Sequence, residues 1–133
     1  MQTTSQALFL KRSEPIGVRR LRSYKAIWRR LDECVADLRG LYAIPWQMYK
    51  PEVRRRILRA EQLRRQLETI IDQTDRALSE LNDPETRVIY GLYFDKETPY
   101  AMAIALGCSL AQIHCIRRGA LHKLNAALRR NSL

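Results

Sequence analysis

Residues that break helices are scarce here, with five glycines and five prolines in 133 positions. That scarcity favours long uninterrupted helices. No apolar run approaches the ~20 residues that a bilayer span needs. The first residues, MQTTSQALFLKRSEP, lack the charged start and apolar core of a signal peptide. Cysteines are few, and Cys34, Cys108 and Cys115 form neither an even set nor a CxxC pair. This excludes a disulfide scaffold and fits reduced thiols in a cytoplasm. Acidic residues are the minority, 14 Asp and Glu against 24 Lys and Arg, for a formal charge of +10. Such a balance favours a polyanionic partner, nucleic acid or an anionic surface. A Gly-rich phosphate loop, GxSxG and HExxH are all missing, so neither an enzyme nor a cofactor is expected.

What is present is helical periodicity in a chain that is 46% apolar and 29% charged, the composition of a globular protein. Leu21, Tyr24, Trp28, Leu31, Val35, Leu38 and Tyr42 alternate steps of three and four, the seam of an amphipathic, coiled-coil-like helix. Gly40 weakens its last turn and Pro45 stops it. A second helix starts near Pro51, a residue suited to a first helical position, and runs to about Leu81. Its seam reads Val53, Ile57, Ala60, Leu67, Ile71, Leu78 and Leu81, with Arg64 and Thr74 interrupting. The short connector predicts an antiparallel hairpin. Folding it about Trp46 and Gln47 would set Asp32, Glu33 and Asp37 beside Arg54, Arg55, Arg56 and Arg59. It would also set Arg19, Arg22 and Arg29 beside Glu68, Asp72 and Asp75. Trp46, Met48 and Tyr49 would close the hairpin tip, or form an exposed patch that anchors a partner.

After LNDPETR the pattern shortens. Asp83 can cap a helix that begins at Pro84, with Glu85 complementing its dipole, and Val88, Ile89, Leu92 and Tyr93 give it an apolar face. Thr98 and Pro99 then start another helix, which Gly107 ends in a left-handed conformation. Ser109 caps the next one, and Gln112 completes a capping box. Apolar residues recur at Ile113, Ile116, Ala120, Leu121, Leu124 and Leu128. Two helices about a tight glycine turn, the second long and basic, form a helix-turn-helix. That motif lays its second helix in the DNA major groove.

The segment from Leu81 to Leu128 resembles the C-terminal domain of bacterial sigma factors, which binds the −35 promoter element. The resemblance lies in Pro84, Arg87-Val88-Ile89, Leu92-Tyr93, Thr98, Met102-Ala103, Leu106-Gly107, Ser109, Ile113, Ile116, Ala120-Leu121 and Lys123-Leu124. The layout as a whole is similar to small phage transcription regulators of the ArpU/RinA type. Departures from the sigma pattern are the apolar Leu110 and Ala111 at the start of the recognition helix, and Ile104 where that family carries a polar residue. No segment resembles the domain that reads the −10 element, so a complete sigma factor is not expected.

The expectation is therefore an all-α chain in three parts: a flexible tail over 1–13, a basic helical hairpin over 14–82, and a sigma-like helix-turn-helix domain over 83–133. The expected role is sequence-specific, DNA-binding transcription regulation in a bacterial cytoplasm, at the nucleoid, encoded by a phage or prophage. Candidate contacts to double-stranded DNA are Ser109, Gln112, His114, Cys115, Arg117, Arg118 and Lys123, with Arg54, Arg55 and Arg59 candidate phosphate contacts. Each has a plainer alternative: Gln112 as a cap only, Arg118 as a solvated end, Cys115 as a partly buried small residue. Cys108, His114, Cys115 and His122 invite a zinc reading. His114 and His122 would stand about 12 Å apart along one helix, too far to share a metal, and none is expected. Further expected partners are a second copy, through the hairpin, and RNA polymerase, but no membrane. The alternative is a protein-interaction module with weak or no specific DNA binding.

Overall fold

The computed structural model describes residues 14–131, and the tail expected over 1–13 lies outside them. Among the described residues the chain is all-α, with no strand. Five α-helices follow in order: α1 (Ile16–Tyr42), α2 (Pro51–Leu78), α3 (Asp83–Ile89), α4 (Pro99–Leu106) and α5 (Leu110–Asn131). A 3-10 turn (Trp46–Met48) joins α1 to α2, and a π turn (Tyr90–Phe94) follows α3. Among these residues no single helix is long and apolar enough to cross a membrane.

Two compact units result, and they do not divide at Asp83. One is Tyr24–Gln73; among the described residues the other combines 14–23 with 74–131. In the first unit α1 and α2 run antiparallel around Leu31, Leu67 and Ile71, flanked by Ile27, Val35 and Leu63. The Cys34 thiol donates to the Ala60 carbonyl at 3.1 Å, and the Tyr42 hydroxyl donates to Glu61 at 2.6 Å.

The α1 seam departs from its heptad line. Trp28 is 40% exposed, and Tyr42 is exposed as well, while Cys34 and Leu41 are buried. A single heptad line assumes one neighbour along the whole helix. Here the turns up to Ser23 pack into the second unit, and the rest of α1 packs on α2. In that stretch the residues just before Val35 and Tyr42 take the inward places. Trp46 and Met48 are exposed too, so they do not close the tip; the Tyr49 hydroxyl bonds the Leu41 carbonyl instead.

The expected cross-hairpin charge pairs also differ. No ion pair joins Asp32, Glu33 or Asp37 to Arg54, Arg55, Arg56 or Arg59, and all seven are exposed. Arg22 pairs with Glu14, and Glu68 pairs within α2 with Arg64, which also holds Glu61. Exposed pairs add little in water, so nothing compels the long arginines to cross the hairpin.

The second unit has two adjoining cores. One gathers Leu21, Ala77, Leu78, Leu81, Ile89, Ala120, Leu124, Ala127 and Leu128. The other gathers Val88, Met102, Ala103 and Ile113 beneath α4 and the start of α5. Close approaches hold them together. The Gly17 N–H donates to Asn125 Oδ1 at 2.7 Å, and a Cβ on Gly17 would stand 2.6 Å from that oxygen. A Cβ on Gly91, in the π turn, would meet the Met102 sulfur at 2.7 Å.

The cap of α3 is Asn82, not Asp83. Asn82 Oδ1 accepts from the Glu85 N–H, and Glu85 Oε1 accepts from the Asn82 N–H, both at 3.0 Å. The same carboxylate receives Lys123 Nζ of α5 at 2.8 Å. Burial opposes ionisation of Glu85, but Lys123 and the Asn82 N–H outweigh it and hold the carboxyl below the ordinary glutamate range. Because the folded-state pKa is the lower one, this stabilisation is complete above the unfolded-state value. It is lost as the pH falls through the depressed one. Glu85→Gln is therefore expected to flatten the acid side of the stability–pH profile in that window. Acid unfolding of equal steepness in variant and parent would contradict the pairing.

Candidate nucleic-acid interface

The helix-turn-helix is built by local chemistry at each boundary. Thr98 Oγ1 accepts from the Ala101 N–H at 3.1 Å, and Pro99 opens α4 with no N–H to satisfy. At the other end Gly107 adopts φ 66° and ψ 36°. Its N–H reaches the Ile104 carbonyl and the Cys108 N–H reaches the Ala103 carbonyl, the paired bonds of a Schellman end. Ser109 and Gln112 then close a capping box, with bonds of 3.1 and 2.8 Å. The turn is three residues, Gly107 to Ser109, and the chain bends by 105° from α4 to α5, within the range of this motif.

A Cβ on Gly107 would meet nothing within 4 Å. Gly107→Ala therefore tests the backbone conformation alone. It is expected to cost about 1–2 kcal/mol in thermal or denaturant unfolding, the penalty for an L residue in the left-handed region. An unchanged stability would contradict the positive φ.

Core and surface alternate along α5. Ile113 is buried, Ile116 half-buried, and Ala120, Leu124, Ala127 and Leu128 fill the first core. Ala111, Cys115, Arg118 and His122 lie three or four residues apart and are exposed, forming one stripe along the outer side. Gln112 is exposed on one flank of this stripe, while His114, on the other, is half-buried. Cys115 is a surface residue, not the partly buried one expected, whereas Cys108 packs against the second core.

The basic candidates divide into three kinds. Arg118 is exposed and makes no ion pair with a described residue, so its five donors are free to meet a base edge or phosphate. Arg117 is half-buried, with its Nε enclosed and unbonded, so its stem packs against protein and only its tip can reach out. Lys123 is turned toward Glu85. The sequence offered no sign of that bond, which spans 38 residues between two helices. On the hairpin, Arg54, Arg55 and Arg59 are exposed; they belong to the other compact unit.

Tyr100 was not singled out by periodicity, yet it is among the most exposed apolar residues, as is Ile104. The sequence did carry a signal for this region: Thr98 to Ile113 contains no charged residue. Among the described residues no three His, Cys, Asp or Glu side chains come together as metal ligands would. Compared with protein-family models, with curated proteins and with solved structures, the chain has no significant match.

Proposed function

We propose that the chain is a sequence-specific, DNA-binding transcription regulator of a bacterial or phage system, whose helix α5 enters the major groove. The observation that carries this reading is the capped three-residue turn with its 105° bend. It presents an outer stripe through Cys115 and Arg118, flanked by Gln112, that packing in the unit leaves unused. Arginine and glutamine are the side chains that pair bidentately with guanine and adenine in that groove. The exposed Arg54, Arg55 and Arg59 add positive charge that suits phosphates, which fix position without reading sequence. The resemblance to the promoter-binding domain of sigma factors agrees with this reading.

Leu110, 45% exposed at the head of α5, favours a second reading, a module that binds RNA polymerase or another protein with little specific DNA affinity. Selection from a random duplex pool separates the two. A recurrent motif after several rounds at fixed salt is the expected outcome. Enrichment without a motif would leave only the salt-dependent attraction of a +10 chain for any duplex, and the protein-binding reading would replace the first.

A further inference from the structure

The turn between α1 and α2 leaves Trp46 76% exposed, with Met48 exposed beside it. Its backbone is held in place. The Met48 N–H donates to the Pro45 carbonyl at 2.8 Å, and the Tyr49 N–H donates to the Trp46 carbonyl at 3.1 Å. The indole thus stands in water on a fixed turn. From Ile44 to Ala60 the chain carries five cations, Lys50, Arg54, Arg55, Arg56 and Arg59, against one acid, Glu52. All five cations are exposed, and none makes an ion pair with a described residue. Arg54, Arg55 and Arg59 surround the exposed Leu58 within about two turns of α2.

We infer that this tip binds single-stranded DNA, with an unpaired base stacked on the Trp46 indole and the backbone following Lys50, Arg54, Arg55 and Arg59. The cations select a polyanion, and the ring selects one that offers flat faces. Guanidinium groups grip phosphate oxygens in pairs. Aromatic stacking beside a basic track is how unpaired strands are held without regard to sequence. A duplex keeps its bases stacked on one another and has no free face for the indole. An anionic bilayer does not fit the layout. A hairpin tip would meet it end-on, yet the arginines run up one side of α2. The bond from Cys34 to the Ala60 carbonyl sets Asp32, Glu33 and Asp37 of α1, all exposed, at about the level of Arg59. A flexible strand can follow the basic side alone. The choice of DNA over RNA rests on the proposed reading of α5; the stacking site does not.

Fluorescence anisotropy of a labelled thymidine strand of about twelve residues, titrated with the full chain at fixed salt, tests it. Trp46→Ala should weaken binding about tenfold or more, with circular dichroism unchanged because the side chain is exposed. Trp46→Phe keeps a flat ring and should retain most of the affinity. Arg59→Ala should lower the salt slope by about 0.7, as loss of one phosphate contact on a single strand does. Tyr100→Ala removes an equally open ring from the other unit and should bind as the parent does. So should Arg118→Ala, which separates this site from the duplex reading of α5: either can fail while the other stands. Parent-like binding by Trp46→Ala would overturn the inference. So would an equal loss in Tyr100→Ala or Arg118→Ala, or a matched ribonucleotide strand bound about tenfold tighter. Vesicles of anionic phospholipid that bind the parent but not Trp46→Ala, with strand binding unaffected, would move the tip to a membrane instead.

Discussion

Leu124→Ala is expected to destabilise the second compact unit by about 2–5 kcal/mol, the cost of removing a fully buried leucine from a packed core. Leu124 has no exposed surface and lies in one cluster with Leu21, Ala77, Leu78 and Leu128. Its Cδ2 would stand 3.3 Å from a Cβ on Gly17. The first turns of α1 therefore pack directly on α5, and the cavity would open between elements far apart in sequence. Such a site relaxes poorly, because no single helix can move to fill it. Leu58→Ala is the control; that side chain is exposed, and its loss should fall within about 0.5 kcal/mol of zero. Denaturant unfolding followed by circular dichroism reads both. Equal small effects would mean that α1 does not pack on α5.

Arg118→Ala is expected to weaken binding to a selected duplex by about 1–3 kcal/mol, with discrimination relaxed at one base position. The side chain is exposed on the outer stripe of α5, so its removal leaves the core untouched. Arg55→Ala, on α2, should instead weaken selected and scrambled duplexes alike and reduce the salt slope by about one, as loss of a phosphate contact does. Gln112→Ala needs a further control, because Gln112 also caps α5. Ser109→Ala removes the reciprocal half of the same box together with a hydroxyl suited to a phosphate contact rather than to bidentate base pairing. A specific defect in Gln112→Ala beyond that of Ser109→Ala belongs to recognition. Equal losses of Arg118→Ala on both duplexes would remove that residue from sequence reading.

The helix-turn-helix was legible because each of its boundaries is decided within a few residues. Thr98 before Pro99, Gly107, and Ser109 with Gln112 act locally, and all hold in the structure. The start of α3 was misread by one residue, because Asn82 and Asp83 are both good caps and Pro84 fits the first or second helical position. The reciprocal bonds between Asn82 and Glu85 decide it. The pairing of α1 with α2 was legible from the short connector, but the second partner of α1, helix α5, was not. One apolar seam looks the same whether it meets one neighbour or two, and only the tertiary fold assigns Leu21 to α5 and Leu31 to α2. The Lys123–Glu85 bond is of the same kind, since spacing along α5 says nothing of a carboxylate 38 residues away.

The most direct measurement is methylation interference on the selected duplex. Methylation of guanine N7 obstructs the major groove, and methylation of adenine N3 obstructs the minor groove. If α5 reads bases from the major groove, N7 methylation at one or more guanines of the motif should abolish binding, and N3 methylation should leave it intact. Interference at N3 alone, or at neither position, would contradict major-groove reading by this helix.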